Sequence, residues 1–233
     1  MPDADAILAF ECSTDYGSVG LALGDGRRFI SRFEIARAHG KILMPMTDEL
    51  FKRAGAERER LGLVVVSLGP GSYTGLRVAV AAAQGLALAL AIPCAGFETA
   101  EVVAGNIEPS ARPLAVLIDI RGDEVFFRPF KADSVRWRPC EPSVVTKPKA
   151  LCEKLERGVL LAGSGVVAYR EIFEKAGFEV APEKTACPQA DVLLNLAMEA
   201  RQRGALIDPA RLAPLYARPS YAEIIKPESV RDK

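Results

Sequence analysis

Histidine occurs once in the 233 residues, as His39. A single imidazole excludes the HxxxH and HExxH metal pairs. The five cysteines, Cys12, Cys94, Cys140, Cys152 and Cys187, are too scattered to replace them and contain no CxxC. Their odd number and wide spacing also exclude a disulfide framework and fit buried thiols in a reducing, cytoplasmic compartment. No metal ion is expected. Net charge is missing as well: 30 lysines and arginines face 30 aspartates and glutamates, so no global field draws the chain to nucleic acid or an anionic membrane. No GxSxG elbow presents a serine nucleophile, and "GSG" at Gly163 to Gly165 reads as a turn. Long apolar runs are scarce. The longest, Val78 to Cys94, contains Gln84, Gly85 and Pro93 and is mostly alanine, short of the roughly 20 strongly apolar residues of a membrane span. The start, "MPDADAILAF", has two aspartates and no basic segment, so no signal peptide is expected.

What is present is a core. Hydrophobic residues make up 49% of the chain, enough for a soluble globular protein of this length. "AILAFECSTDYGSVGLAL" reads as strand, polar turn, strand, and "RRFISRFEIA" as a third strand. From His39 to Ala54 the pattern turns helical, with Pro45 kinking or restarting the helix. "LVVVS" is a short buried strand, and Thr74 to Leu90 is a helix. "RPLAVLIDIRGDEVFFRPF" then repeats the opening unit, with Asp119 standing where Glu11 stood. Later helices are expected over "PKALCEKLERG", "SGVVAYREIFEKAG" and "DVLLNLAMEARQRG", with the strand "VLLAG" between the first two. The reading is an α/β protein of two related lobes, residues 1–108 and 109–233, with the breaker-rich "GNIEPSARP" between them and the last segment free to return to the first lobe.

Between the strand and the helix lies "SLGPGSYTGLRVAV", with Gly69, Pro70, Gly71, Ser72, Thr74 and Gly75. A glycine turn running into a helix N-terminus suits an anion. It equally suits a plain type II turn at Pro70-Gly71, with a positive φ at Gly71 and a cap from Ser72 or Thr74. The GK[ST] ending of a phosphate-binding P-loop is missing. Glu11, Ser13, Thr14 and Asp119 stand at strand ends, where they either face a nucleotide phosphate or cap their own turns. On the helix, Leu76, Val80, Ala83 and Ala87 share one face and Val78, Ala81 and Leu88 lie opposite. Met44 and Phe51 lie away from the main face of the preceding helix. Small residues, Ala81, Ala82 and Gly85, allow close approach of another helix. Met44, Phe51, Val78, Ala81, Gly85 and Leu88 are therefore expected to form an association surface, against the alternative of a helix buried under the second lobe.

These segments together carry a resemblance. "GPGSYTGLR" after "VVVSL", with "ILAFECST", "HGKILMPM", "DIRGDEVFF" and the late "LAPLYAR", resembles the TsaB family of tRNA threonylcarbamoyladenosine biosynthesis proteins. The glycine-loop stretch is the specific part. The resemblance implies a fold of the actin, sugar-kinase and Hsp70 (ribonuclease H-like) type. It further implies a non-catalytic partner of the catalytic subunit TsaD, active in a complex with the ATPase TsaE that modifies the adenosine beside the anticodon of tRNA. It implies no cofactor, contact with tRNA through the complex only, and self-pairing when the partner is absent. TsaD-like catalysis uses a histidine-pair metal site, which one histidine cannot supply. Two positions depart from the pattern: Glu11 stands where aspartate usually ends the first strand, and Ile120 where a small residue is usual. A different class remains open beside this one, an ATP-dependent small-molecule phosphotransferase of the same fold with Glu11 and Asp119 near magnesium. The glycopeptidase activity sometimes assigned to relatives of this fold is disfavoured by the missing histidine pair.

Overall fold

The structure, a computed structural model, describes residues 5–34, 41–133 and 135–217. His39 and Arg218 lie outside the described residues. The first lobe is built on β1 (Ala6–Glu11), which pairs antiparallel with β2 (Tyr16–Ala22) and parallel with β4 (Leu61–Gly69). The antiparallel β3 (Arg28–Glu34) and the parallel β5 (Cys94–Glu98) complete a five-stranded sheet of order β3-β2-β1-β4-β5. Both faces are covered, which is why β1 and β4 read as continuous apolar runs. Ala6, Leu8 and Phe10 enter one core, under α1 (Leu43–Ala54) and α2 (Tyr73–Leu90). Ile7 and Ala9 enter the other, under α3 (Thr99–Ala104) and α7 (Ala190–Arg203). Pro45 neither kinks nor interrupts α1. It sits in the first turn, where a backbone N–H has no helical partner to lose.

The second lobe repeats the plan. In it β6 (Leu114–Asp119) pairs antiparallel with β7 (Val125–Ala132) and parallel with β10 (Leu160–Ala162). β8 (Trp137–Pro139) and β11 (Glu179–Val180) occupy the positions of β3 and β5, and β9 (Val144–Thr146) adds to β7. Each lobe thus runs antiparallel, antiparallel, parallel, parallel about its first strand, the two related α/β lobes expected from the internal repeat and in keeping with the actin-type fold that the resemblance implies. α4 (Pro148–Lys154), α5 (Ser164–Ala168) and α6 (Arg170–Lys175) complete it. The single helix expected over 164–177 is two, broken at Tyr169, whose φ of −119° leaves the helical region.

A division at residue 108 follows the sheets but not the cores. α7 belongs to the first lobe, where Leu193, Leu194 and Ala197 pack on β1 and β4. The chain after it stays there: Ile207 and Cys94 exchange both backbone hydrogen bonds, at 2.7 and 2.9 Å. Leu212 is buried in the α1/α2 core, and Leu215 N donates to Leu68 O at 2.7 Å. Ala217 reaches across to pack on the core of the second lobe.

Candidate functional site

The glycine loop is shaped by two different demands. At Gly69 the backbone takes φ +117°, a region that L side chains rarely adopt. The Gly69-Pro70 peptide is cis. Gly71, expected to carry the positive φ, does not; space is what it supplies. A Cβ there would lie 2.1 Å from Ser13 O, and one at Gly75 would lie 2.1 Å from Cys12 O. Ser72 N donates to Ser13 O at 2.7 Å, and the Ser72 hydroxyl accepts from Gly75 N at 3.3 Å to cap α2. Thr74 is exposed and leaves the cap to Ser72. The loop is thereby pressed backbone to backbone on the end of β1.

Beside it a cleft of about 550 Å³ opens between the lobes. Ser13, Thr14, Gly71 and Ser72 line it from the first lobe, Asp119, Arg121 and Ser164 from the second, and Tyr216 from the returning chain. Most of these polar groups serve their own turns. Thr14 Oγ1 donates to Tyr16 O at 2.8 Å, and Arg121 N donates to an Asp119 carboxylate oxygen at 2.9 Å. Asp119 N donates to the Ser164 hydroxyl at 3.0 Å.

Glu11, grouped in the sequence with these nucleotide-facing candidates, is not among the lining residues. It is fully buried, and its Oε1 accepts from Ser13 N at 2.7 Å and from the Ser13 hydroxyl at 2.5 Å. Oε2 has no hydrogen-bond partner among the described residues, nor has the nearby Ser67 hydroxyl. Burial pushes the Glu11 carboxyl up, against the hydrogen bonds from Ser13, which favour the charged form. A carboxyl turned inward and biased toward neutrality is poorly placed to hold a cation in the cleft. Among the described residues, no three histidine, cysteine or acidic side chains come together as a metal site. All five cysteines are free, and burial lifts the Cys94 thiol to about 11.

The expected association surface is partly rearranged. On α2, Leu76, Ala79, Val80, Ala83 and Ala87 are buried, while Ala81, Gly85 and Leu88 are exposed, Leu88 by 58%. The helix is therefore not buried all round. It is long and apolar enough to cross a membrane by length and composition, but its inner face forms one wall of the lobe core. Val78 is half-buried at the edge of the outer face, and Met44 is half-buried in the first turn of α1. Phe51 does not belong to the surface: it is 4% exposed and packed in the first core. On α1, Asp48, Glu49, Lys52 and Arg53 occupy the outward positions, so Phe51 must turn in.

One cluster was not foreseen. Tyr73 and Tyr216 lie with ring centroids 5.2 Å apart, and the Arg77 guanidinium sits 4.0 Å over the Tyr73 ring. The signal for it was present in "PLYAR", but spacing within the chain does not show that residue 216 returns to residue 73.

Comparisons with known proteins agree on one relationship. The sequence model for "TsaD: tRNA N6-adenosine threonylcarbamoyltransferase" matches residues 33–226. The tRNA threonylcarbamoyladenosine biosynthesis protein TsaB of Escherichia coli is 26% identical, over 93% of this chain and 96% of its own length. TsaB of Haemophilus influenzae is 29% identical, over 91% and 93%. Among solved structures, a Pseudomonas aeruginosa protein described as similar to peptidase YeaZ aligns with a TM-score of 0.81 at 29% identity, covering 92% of this chain and all of its own. YeaZ from Pseudomonas aeruginosa gives 0.79 at 27%, covering 91% and 100%.

Proposed function

The chain belongs to the tRNA N6-adenosine threonylcarbamoyltransferase (TsaD) family, as one of its TsaB members, and on that premise we propose that it is a cytoplasmic, non-catalytic subunit in tRNA threonylcarbamoyladenosine biosynthesis. In this reading it docks on the catalytic subunit TsaD and activates it, together with the ATPase TsaE, for transfer of a threonylcarbamoyl group to the adenosine beside the anticodon. It meets tRNA through that complex and pairs with itself when TsaD is absent.

The observation that carries the proposal is the outer face of α2. Ala81, Gly85 and Leu88 leave an apolar stripe uncovered, small at its first two positions, and a Cβ at Gly85 would meet nothing within 4 Å. A second helix can approach such a stripe closely, and covering it removes apolar surface from water. The cleft supports the same reading from the other side, since most of its polar groups serve their own turns and the nearby strand-end Glu11 points inward.

The test is reconstitution of tRNA modification with TsaD and TsaE, with and without this chain. Modification that depends on the chain is the expected result. Equal rates in its absence overturn the proposal, and ATP hydrolysis by the isolated chain would turn it toward phosphotransfer.

A further inference from the structure

The α2 stripe has a polar end. Arg77 precedes Ala81 by one turn, and steps of four, four and three residues carry the same face through Ala81 and Gly85 to Leu88. Long exposed arginines ordinarily sample many rotamers. This one is held: one face of its guanidinium lies 4.0 Å over Tyr73, and Nε donates to the Tyr216 hydroxyl at 2.8 Å. Tyr216 is itself fixed, because Leu215 N is bonded to Leu68 O and the Gln84 amide donates to Pro209 O and Leu212 O at 3.0 and 2.9 Å. Stacking and the Nε bond occupy the plane and one edge of the fork, and no Nη hydrogen bond of Arg77 is made among the described residues. None of the ion pairs among the described residues includes Arg77.

A guanidinium held in one orientation with its Nη edge unengaged is pre-organised for a carboxylate. α2 itself has no acidic residue, so a second copy meeting this face through its own α2 brings another Arg77 and nothing to neutralise it. Burying an unpaired cation is costly. On α1, Asp48 is already paired with Arg58, which leaves Glu49 as the exposed acid of that helix.

Resting on the association reading above, we propose that Arg77, pinned by Tyr73 and Tyr216, selects the occupant of this face: a partner helix with an apolar side that carries one aspartate or glutamate opposite the guanidinium, in preference to a second copy of this chain. Small residues along the stripe admit the helix, and Arg77 sets which helix and in which register.

The test compares two associations of the full chain: binding to TsaD by titration calorimetry and self-association by sedimentation equilibrium, each at low and high salt. Arg77→Ala is expected to weaken TsaD binding about tenfold or more and to flatten its salt dependence, while self-association is unchanged or tighter. Arg77→Lys should recover part of the loss, since it restores the charge without the fork. Tyr216→Phe, which removes only the hydroxyl that orients Arg77, should weaken TsaD binding by a smaller factor. Circular dichroism and melting confirm folding of each variant. Ala81→Glu separates the two readings. If it abolishes TsaD binding while Arg77→Ala leaves it intact, or if Arg77→Ala weakens both associations equally, the selection role of Arg77 is overturned. If Ala81→Glu itself leaves TsaD binding unchanged, the association face falls and Arg77 falls with it.

Discussion

The first lobe turns from β4 into α2 through Gly69 and Gly71 and presses that turn on the end of β1. The second turns from β10 into α5 through Gly163 and Gly165 and presses its turn on β6, where a Cβ at Gly163 would come within 2.3 Å of Leu117 O. Both halves also end their first strand in an acid that accepts from the backbone N–H two residues on, Glu11 from Ser13 and Asp119 from Arg121. The likeness stops at the helix. α2 runs for 18 residues and leaves an apolar outer face exposed, whereas α5 ends after 5 and is followed at once by α6. The shared part therefore belongs to the construction of a lobe, and the unshared part, a long helix with an uncovered stripe, is where this chain has room for a partner.

The largest effect that would break this comparison is steric. Gly71→Ala is expected to cost about 3 kcal/mol, because the new methyl meets a backbone carbonyl that cannot move without parting β1 from the loop. Gly163→Ala should do comparable harm in the second lobe, with an unfavourable φ of +101° added. Chemical denaturation measures both. Gly71→Ala with full stability but no complex activity would instead give the loop a direct functional role.

Next comes association. Ala81→Glu should leave the fold intact and cost several kcal/mol of association, because the charge is buried only when α2 is covered. Glutamate at Val166 of α5, which is already buried, should unfold the second lobe. Sedimentation beside circular dichroism separates the cases: a dissociated but folded Ala81→Glu protein supports the surface, and a lost fold would return α2 to the core.

The strand-end acids offer a pH test. Burial raises the folded pKa of Glu11 above its unfolded value of about 4.3, so stability is greatest below that value and falls as pH rises toward the folded pKa. Each unit of upward displacement removes about 1.4 kcal/mol once the group is forced to ionise. Glu11→Gln should abolish this decline, making the variant relatively more stable at pH 8 than at pH 4. Thermal melts across that range that stay parallel to wild type would contradict it. A smaller effect is expected from Gly85→Ala, which should stabilise the free monomer by about 1 kcal/mol through helix propensity. If the same methyl weakens binding of TsaD, the partner helix approaches α2 closely at that point.

Much of this was legible in the chain. Alternation between two cores makes β1 and β4 continuous apolar runs, and breakers bracket each strand, so the repeated units stand out without coordinates. The inner face of α2 was legible for the same reason, since a period of 3.6 residues sorts Leu76, Val80, Ala83 and Ala87 to one side. Phe51 was misplaced because a helical wheel gives direction but not depth: both flanks of α1 near Leu50 are covered, and only the sheet beneath shows it.

From composition and periodicity alone follow the two α/β lobes, the missing histidine-pair metal site and the small-residue stripe on α2, because these depend on residue type and local spacing. Distant packing decided the rest. Gly71 is needed for its closeness to Ser13, 58 positions away in the chain. Glu11 is buried where β2 and β4 close beside it and where Cys187, from far along the chain, lies near its carboxyl. Tyr216 meets Arg77 only because the segment after α7 is threaded back along β5 and β4. Contacts of such separation depend on how the whole chain closes, and no local pattern encodes them.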